Sequence, residues 1–68
     1  MILKLKFVGF KRKEEILELK EKKRYFEILE ELKINPETVV LLRNSTPVPV
    51  DDFAEEGEIV VLRVISGG

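Results

Sequence analysis

The residues of this sequence best suited to chemistry are its last two, Gly67 and Gly68. Two residues without side chains form a thin, flexible segment that can enter a narrow active-site tunnel of another protein. The α-carboxylate of Gly68 is unhindered, but with a reference pKa of about 3.5 it is an anion and a poor electrophile at neutral pH. It must be activated by ATP before any transfer. Because the sequence has no phosphate-binding loop, we expect a partner enzyme to use the ATP and the chain itself to bind no cofactor.

Paired carboxylates and short basic clusters are the other chemical candidates. Asp51-Asp52, Glu14-Glu15 and Glu55-Glu56 lie in predicted loops or at strand starts, without the apolar pocket that raises a carboxyl pKa for acid–base catalysis. The basic clusters 11–13 and 22–24 are flanked by acids and lack interleaved aromatic residues. We interpret all of them as solvated surface.

Composition excludes several classes of protein. The 68 residues, 7.9 kDa, suffice for one small domain with a single core. Twelve basic and thirteen acidic residues give a net charge of −1, which argues against a nucleic-acid partner. Cysteine and histidine are absent, so the sequence offers no disulfide, thiol nucleophile, imidazole base or Cys/His metal site. No apolar run is long enough for a membrane span or signal peptide, and we expect a cytoplasmic protein that is not an enzyme.

The spacing of apolar residues predicts a hairpin near the start of the chain. Residues 1–8 predict a first strand, because from Leu3 to Phe7 apolar and charged side chains alternate, which is typical of a strand with one buried face. Residues 14–19 predict a second strand, joined to the first by a turn that contains Gly9. The side chains expected to face the core are Leu3, Leu5, Phe7, Leu17 and Leu19.

The period then changes to three and four residues, which predicts an amphipathic helix over about residues 22–33. Its start has no Ser, Thr, Asp or Asn cap, so packing must stabilise it. Asn35-Pro36 is expected to end it, because the residue before proline avoids helical angles.

Three more strands follow, over residues 38–43, 48–50 and 58–65, with Phe53 as the expected core anchor of the acidic loop between the last two. The first and last of these strands carry apolar side chains on both faces, whereas one helix can cover only one face. We therefore expect an exposed aliphatic patch suited to a partner. The residues leave open which side faces inward; an outward Arg63 would bury Val60, Leu62 and Val64.

The order strand, strand, helix, strand, short strand, strand ends in Ser66-Gly67-Gly68. It resembles the ubiquitin-like β-grasp, and in detail the MoaD/ThiS sulfur carriers and the related small archaeal modifier proteins. The segments that carry the resemblance are Met1–Lys4, Glu27–Glu37, Val39–Asn44, Val48-Pro49, Glu55–Val61 and Val64–Gly68.

The resemblance implies an α+β fold, in which one helix covers a mixed sheet of four to five strands over residues 1–65, with a flexible tail at residues 66–68. Lys33 stands where the family often has glycine, which predicts a left-handed backbone there. Comparison with the family also places Ile59 and Val61 in the core, against the side suggested by Arg63.

The resemblance further implies a sulfur carrier. On a ubiquitin-activating-type partner, the Gly68 carboxylate would be adenylated by ATP and converted to a thiocarboxylate. Gly67, which has no side chain, would let the tail fit into the narrow active site of that partner. The sulfur would pass to an acceptor that makes molybdopterin, a thiazole or a thiolated tRNA. We expect a free monomer that docks through the aliphatic patch. The expected docking residues are Val39, Leu41, Arg63 and Ile65.

Two other hypotheses remain open: a modifier joined to substrate lysines through Gly68, and a non-covalent interaction module. The carrier is favoured because such proteins commonly end at Gly-Gly as encoded. The absence of cysteine also leaves no internal thiol to form a disulfide with a thioacid.

Overall fold

The computed structural model describes residues 1–65, which form five strands, one α-helix and one short 3-10 helix. The strands make one mixed sheet in the order β2-β1-β5-β3-β4, in which β1 and β5 are parallel and the other neighbours antiparallel. This is the ubiquitin-like β-grasp, and it confirms the predicted fold class with five strands. The elements are β1 (Ile2–Val8), β2 (Glu14–Glu18), α1 (Tyr25–Glu31), the 3-10 helix (Pro36–Thr38), β3 (Val39–Arg43), β4 (Thr46–Val48) and β5 (Gly57–Arg63).

The turn between β1 and β2 depends on glycine at position 9. Gly9 has a φ of 89°, a left-handed value that side chains disfavour. A Cβ atom at this position would lie 3.0 Å from the Cβ atom of Arg63, at the end of β5. The turn therefore packs closely against the last residue of the strand that precedes the tail.

The helix α1 is shorter than predicted at both ends, covering Tyr25–Glu31. At its start, the Glu27 carboxylate accepts a hydrogen bond from the backbone N–H of Arg24, at 3.1 Å, so a glutamate inside the helix replaces the missing cap residue. At its end, Lys33 has a φ of 64°, which confirms the predicted left-handed position. Asn35 and Pro36 begin the 3-10 helix and do not end α1. Within residues 1–65, no helix has the length and apolar character to cross a membrane.

One hydrophobic core lies between α1 and the sheet. Ile59 and Val61 are fully buried, which agrees with the side that the family resemblance implied and not with the alternative in which Val60, Leu62 and Val64 are buried. Arg63 does point to the covered face, but its guanidinium lies over the Phe10 ring, 4.5 Å from the centroid, and stays exposed. The buried apolar residues are Leu3, Leu5, Phe7, Tyr25, Ile28, Leu29, Ile34, Val39, Leu41, Ala54, Ile59 and Val61.

The loop before β5 is anchored differently from the prediction. Phe53 was expected in the core, but it is 41% exposed, and the charged groups of Lys22 and Arg24 lie 4.7 and 4.1 Å from its ring centroid. The buried residue of this loop is the smaller Ala54, whose N–H donates to the carbonyl of Lys23 at 2.7 Å. The aromatic ring thus packs against cations at the surface.

Arg43 fixes the start of β5. Its guanidinium donates to the Tyr25 hydroxyl at 3.0 Å and to the carbonyls of Glu55 and Glu56 at 2.8 and 3.1 Å. Gly57 has a φ of 125°, and a Cβ atom there would lie 2.6 Å from the Arg43 Nη1 atom. The backbone conformation therefore favours glycine, and any side chain at this position would also displace the Arg43 guanidinium.

The two sides of β3 should differ in their contribution to stability. Leu41→Ala removes a side chain that is 1% exposed and should lower the free energy of unfolding by about 2–5 kcal/mol. Val40→Ala, on the other side of the same strand, should lower it by less than about 1 kcal/mol, because Val40 is already 36% exposed. Denaturant unfolding of both variants measures this, and equal losses would contradict the assigned orientation of β3.

Candidate functional site

The structure fixes the point from which the predicted reactive tail begins. Gly67 and Gly68 lie outside the described residues, so their predicted roles stay predictions. The backbone N–H groups of Val64 and Ile65 both donate to the carbonyl oxygen of Thr38, at 2.9 and 3.2 Å. Thr38 is buried and is itself held by a 2.7 Å hydrogen bond from its hydroxyl to the Asn35 carbonyl. The last two residues before Ser66 are therefore tied to the 3-10 helix.

The face of the sheet opposite α1, here called the open face, carries a contiguous set of aliphatic side chains. Leu62 of β5 lies directly between Val8 of β1 and Val40 of β3, and in the next row Val60 lies opposite Leu42. Residues directly opposite one another share a face of the sheet. The apolar patch, as we call this set, consists of Val8, Val40, Leu42, Val60 and Leu62.

The apolar patch lies at the end of the sheet from which the tail begins, and charged residues border it. Val8 and Val40 are 49% and 36% exposed, and the other three members are half-buried. Beside the patch on the open face, Lys6 of β1 lies 3.3 Å from Glu58 of β5, and Lys4 of β1 lies 3.7 Å from Glu14 of β2. An apolar centre with a polar rim is the usual anatomy of a protein–protein interface. Exposed ion pairs of this kind add little stability.

Two of the predicted docking residues face the other way. Val39 and Leu41 are 7% and 1% exposed and belong to the core, because they lie opposite Arg63 and Val61 on the side covered by α1. Their prediction as exposed docking residues was wrong. Their strand neighbours Val40 and Leu42 occupy the open face instead.

The sequence of β1 did indicate the correct side. Lys4 and Lys6 mark its outward face, and Val8 follows at the same two-residue spacing, so it is expected on that face. In β3, by contrast, the first charged residue is Arg43, which is half-buried and hydrogen-bonded on the covered side. In both β3 and β5 an arginine lies on the covered face of the sheet, so the rule that a charged side chain marks the outward face fails in these two strands.

Arg63 and Ile65 are both exposed, as predicted docking residues must be; docking by them stays a prediction. Ile65 is 56% exposed directly before the tail. Because β1 and β5 are parallel, the basic β1–β2 turn lies at the same end of the sheet as Arg63. In that turn the Arg12 guanidinium lies 5.4 Å from the centroid of Phe7. The start of the tail is thus bordered by cations on one side and by the apolar patch on the other.

A separate groove of about 300 Å³ lies between β2 and α1. Across its rim, the Lys23 ammonium lies 2.5 Å from the Glu31 carboxylate, and this hydrogen bond raises the pKa of Lys23 above its usual value. In the part of the chain that the structure covers, no three acidic side chains converge in a way that could hold a metal ion. The apolar residues that line the groove are Leu17, Leu19, Ile28 and Leu32.

Comparison with known proteins gives one family and two relatives. The family model described as small archaeal modifier protein 2 matches residues 1–65. An uncharacterised protein of Archaeoglobus fulgidus is 62% identical over 68 residues, which is the whole length of both chains. The sulfur carrier protein TtuB of Thermus thermophilus is 49% identical over 43 residues, covering 62% of this chain and 66% of that protein.

Proposed function

This chain belongs to the small archaeal modifier protein 2 family, and we propose that it carries sulfur as a thiocarboxylate on Gly68. A curated relative described as a sulfur carrier supports this choice. The observation that carries the proposal is the position of the apolar patch: it adjoins the end of β5, where the chain is tied to Thr38 and the tail begins. A partner that covers the patch can therefore take up the tail at the same time.

In the proposed reaction, an oxygen of the Gly68 carboxylate attacks the α-phosphorus of ATP on an activating enzyme, and pyrophosphate leaves. The terminal sulfur of a persulfide then attacks the carbonyl carbon of the acyl-adenylate, and AMP leaves. A thiol reduces the acyl disulfide so formed and releases the thiocarboxylate. This chain supplies the carboxylate, the clearance at Gly67 and the docking surface, whereas the partner supplies the ATP site and the sulfur donor.

A second function is conjugation to lysines of other proteins. The family description as a modifier favours it, and it shares the adenylation step with the carrier function. The two differ only in the nucleophile that displaces AMP, a sulfur or a lysine amine.

Removal of Gly67 and Gly68 should abolish adenylation while stability stays within about 0.5 kcal/mol, because no core side chain is lost. ATP–pyrophosphate exchange with the partner enzyme measures the first effect and denaturant unfolding the second. Exchange that persists in the truncated chain would refute the proposed role of the tail.

A charge placed in the apolar patch should weaken docking to the activating enzyme. Val40→Lys should cost about 1–3 kcal/mol of binding free energy, as loss of a well-packed interface residue does. The matched control is Ile16→Lys, which adds the same charge on the open face at another exposed aliphatic, 63% exposed and on the distant strand β2. Titration calorimetry with the enzyme measures both; equal effects would show that the patch is not the docking surface.

Mass spectrometry of the chain isolated from its native cell distinguishes carrier from modifier. A carrier should show a fraction heavier by one sulfur-for-oxygen exchange, localised to Gly68. A modifier should leave Gly-Gly remnants on lysines of other proteins after digestion with a protease that cuts after Ser66. Abundant remnants without thiocarboxylate under sulfur-replete growth would favour the modifier.

A further inference from the structure

A second cavity, here called the Phe53 pocket, lies at the end of the sheet where β5 begins. Its lining comes from the segment before α1, the β3–β4 hairpin and the loop before β5. The volume is about 480 Å³, within the range of small-molecule sites, and the pocket is open to solvent on one side. Half-buried Val48 and buried Ala54 give it an apolar wall beside the ring of Phe53.

The hydroxyl of Tyr25, which lines this pocket, has a hydrogen to donate. Tyr25 is 3% exposed, and its oxygen accepts hydrogen bonds from Arg43 Nη2 at 3.0 Å and from the Glu55 N–H at 3.2 Å. These two bonds use the lone pairs of the oxygen, so its own hydrogen must be directed elsewhere. No group among residues 1–65 accepts it. Because an unpaired buried donor is costly, an acceptor atom in the pocket would be stabilised there.

Three cations surround the pocket, and none of them has a carboxylate oxygen within 4 Å in the described chain. The ion pairs that residues 1–65 form at this distance lie on the open face and across the β2–α1 groove. Lys22 and Arg24 instead lie over the ring of Phe53. Arg43 donates to a hydroxyl and to two backbone carbonyls. Neutral groups therefore hold the three positive charges in place without neutralising them.

An acceptor for the Tyr25 hydrogen would lie close to this positive charge. At a normal O–H···O distance of about 2.7 Å from the hydroxyl, it would be no more than about 6 Å from Arg43 Nη2. A negative charge at that point is attracted by the guanidinium. Asp52 and Glu55 also line the pocket, and they would repel a doubly charged phosphate more than a singly charged group. The site therefore suits a carboxylate.

We propose that the Phe53 pocket binds a single carboxylate group attached to a small apolar body. The carboxylate accepts the hydrogen bond of Tyr25 and faces the charges of Arg43 and Lys22. The apolar body contacts the wall formed by Val48 and Ala54. A free organic acid and the C-terminus of a peptide present this same chemistry, so the experiment compares the two sources.

The pocket is remote from the reactive end of the chain. β5 begins beside the pocket at Gly57 and ends at Arg63, which is a separation of about 20 Å along the strand. A ligand can therefore occupy the pocket while an enzyme covers the apolar patch. The proposal does not rest on the chemistry of the tail.

The test uses the full chain labelled with ¹⁵N and 3-phenylpropanoate as the probe. Titration should shift the backbone amides of Ala54 and Glu55 and the Nε resonance of Arg43 saturably. The expected Kd is on the order of 1 mM, as suits a ligand of this size. 3-Phenylpropanamide, which has the same body without the charge, should bind roughly tenfold more weakly.

A second titration distinguishes the two sources of the carboxylate. The probe is the dipeptide acetyl-alanyl-valine, with its C-terminus either free or amidated. Only the free form should shift the same three resonances. Tighter binding of this dipeptide than of 3-phenylpropanoate would indicate a peptide C-terminus as the ligand, and the reverse order would indicate a free organic acid.

The most direct variant is Tyr25→Phe, which removes the hydroxyl and keeps the ring. It should weaken binding of 3-phenylpropanoate roughly tenfold, because the carboxylate loses its donor. If this variant fails to fold, since Arg43 loses an acceptor too, Lys22→Gln makes the test at an exposed side chain and should weaken binding roughly threefold. The matched control is Lys20→Gln, which removes the same charge from an exposed lysine outside the pocket and should bind as the parent does.

Three results would overturn the proposal: no saturable shifts at Ala54 and Glu55, equal binding of the acid and its amide, or equal binding by the two lysine variants. Phenyl phosphate that bound more tightly than 3-phenylpropanoate would also overturn it, since the ligand would then carry more charge than the proposal allows. Loss of adenylation in the tail deletion bears on the sulfur-carrier proposal alone, so the two proposals can fail separately.

Discussion

The parallel pairing of β1 with β5 is the interaction on which the rest of this structure depends. It joins the two ends of the described chain over six opposed residue pairs, from Leu3 and Gly57 to Val8 and Leu62. The side chains that the pair directs toward α1 are among the most buried in the protein, including Leu3, Leu5 and Ile59. A parallel pair needs a long connection between its strands. Here that connection contains all the other elements, and its helix crosses one face of the sheet.

The proposed function follows from what this arrangement leaves uncovered. One helix of seven residues covers one face of a five-stranded sheet, so aliphatic side chains on β1, β3 and β5 remain on the other face. The same strand, β5, contributes to the core, to the apolar patch and to the start of the tail. The bonds to Thr38 hold the last described residues, Val64 and Ile65, against the 3-10 helix, so these two residues keep a fixed position relative to the patch.

The sequence predicted the existence and order of the strands and helix well, because alternation and helical spacing report directly which side of an element is buried. It also predicted the left-handed position at Lys33. It did not predict which face Arg63 occupies, because a long side chain can lie on the covered face of a strand and still bring its charge to solvent by stacking on Phe10. Phe53 is the converse case. Its aromatic ring was expected in the core but lies at the surface, where the cationic groups of Lys22 and Arg24 pack over it. The sequence also did not predict where the helix begins. The cap is the carboxylate of Glu27, which lies inside the helix, and no Ser, Thr, Asp or Asn precedes the helix to mark its start. The tail residues lie beyond the described chain, so their chemistry stays a prediction.

The parallel arrangement of β1 and β5 also determines how the domain responds to mechanical force. A machine that pulled the chain by Ile65 against resistance at Ile2 would load the hydrogen bonds between the two strands in shear. All six residue pairs would then bear the load together, whereas pulling two neighbouring antiparallel strands apart from one end breaks their bonds one after another. The strand that leads to the tail is thus also a strand that resists extraction, because its bonds to β1 must break together and not in sequence.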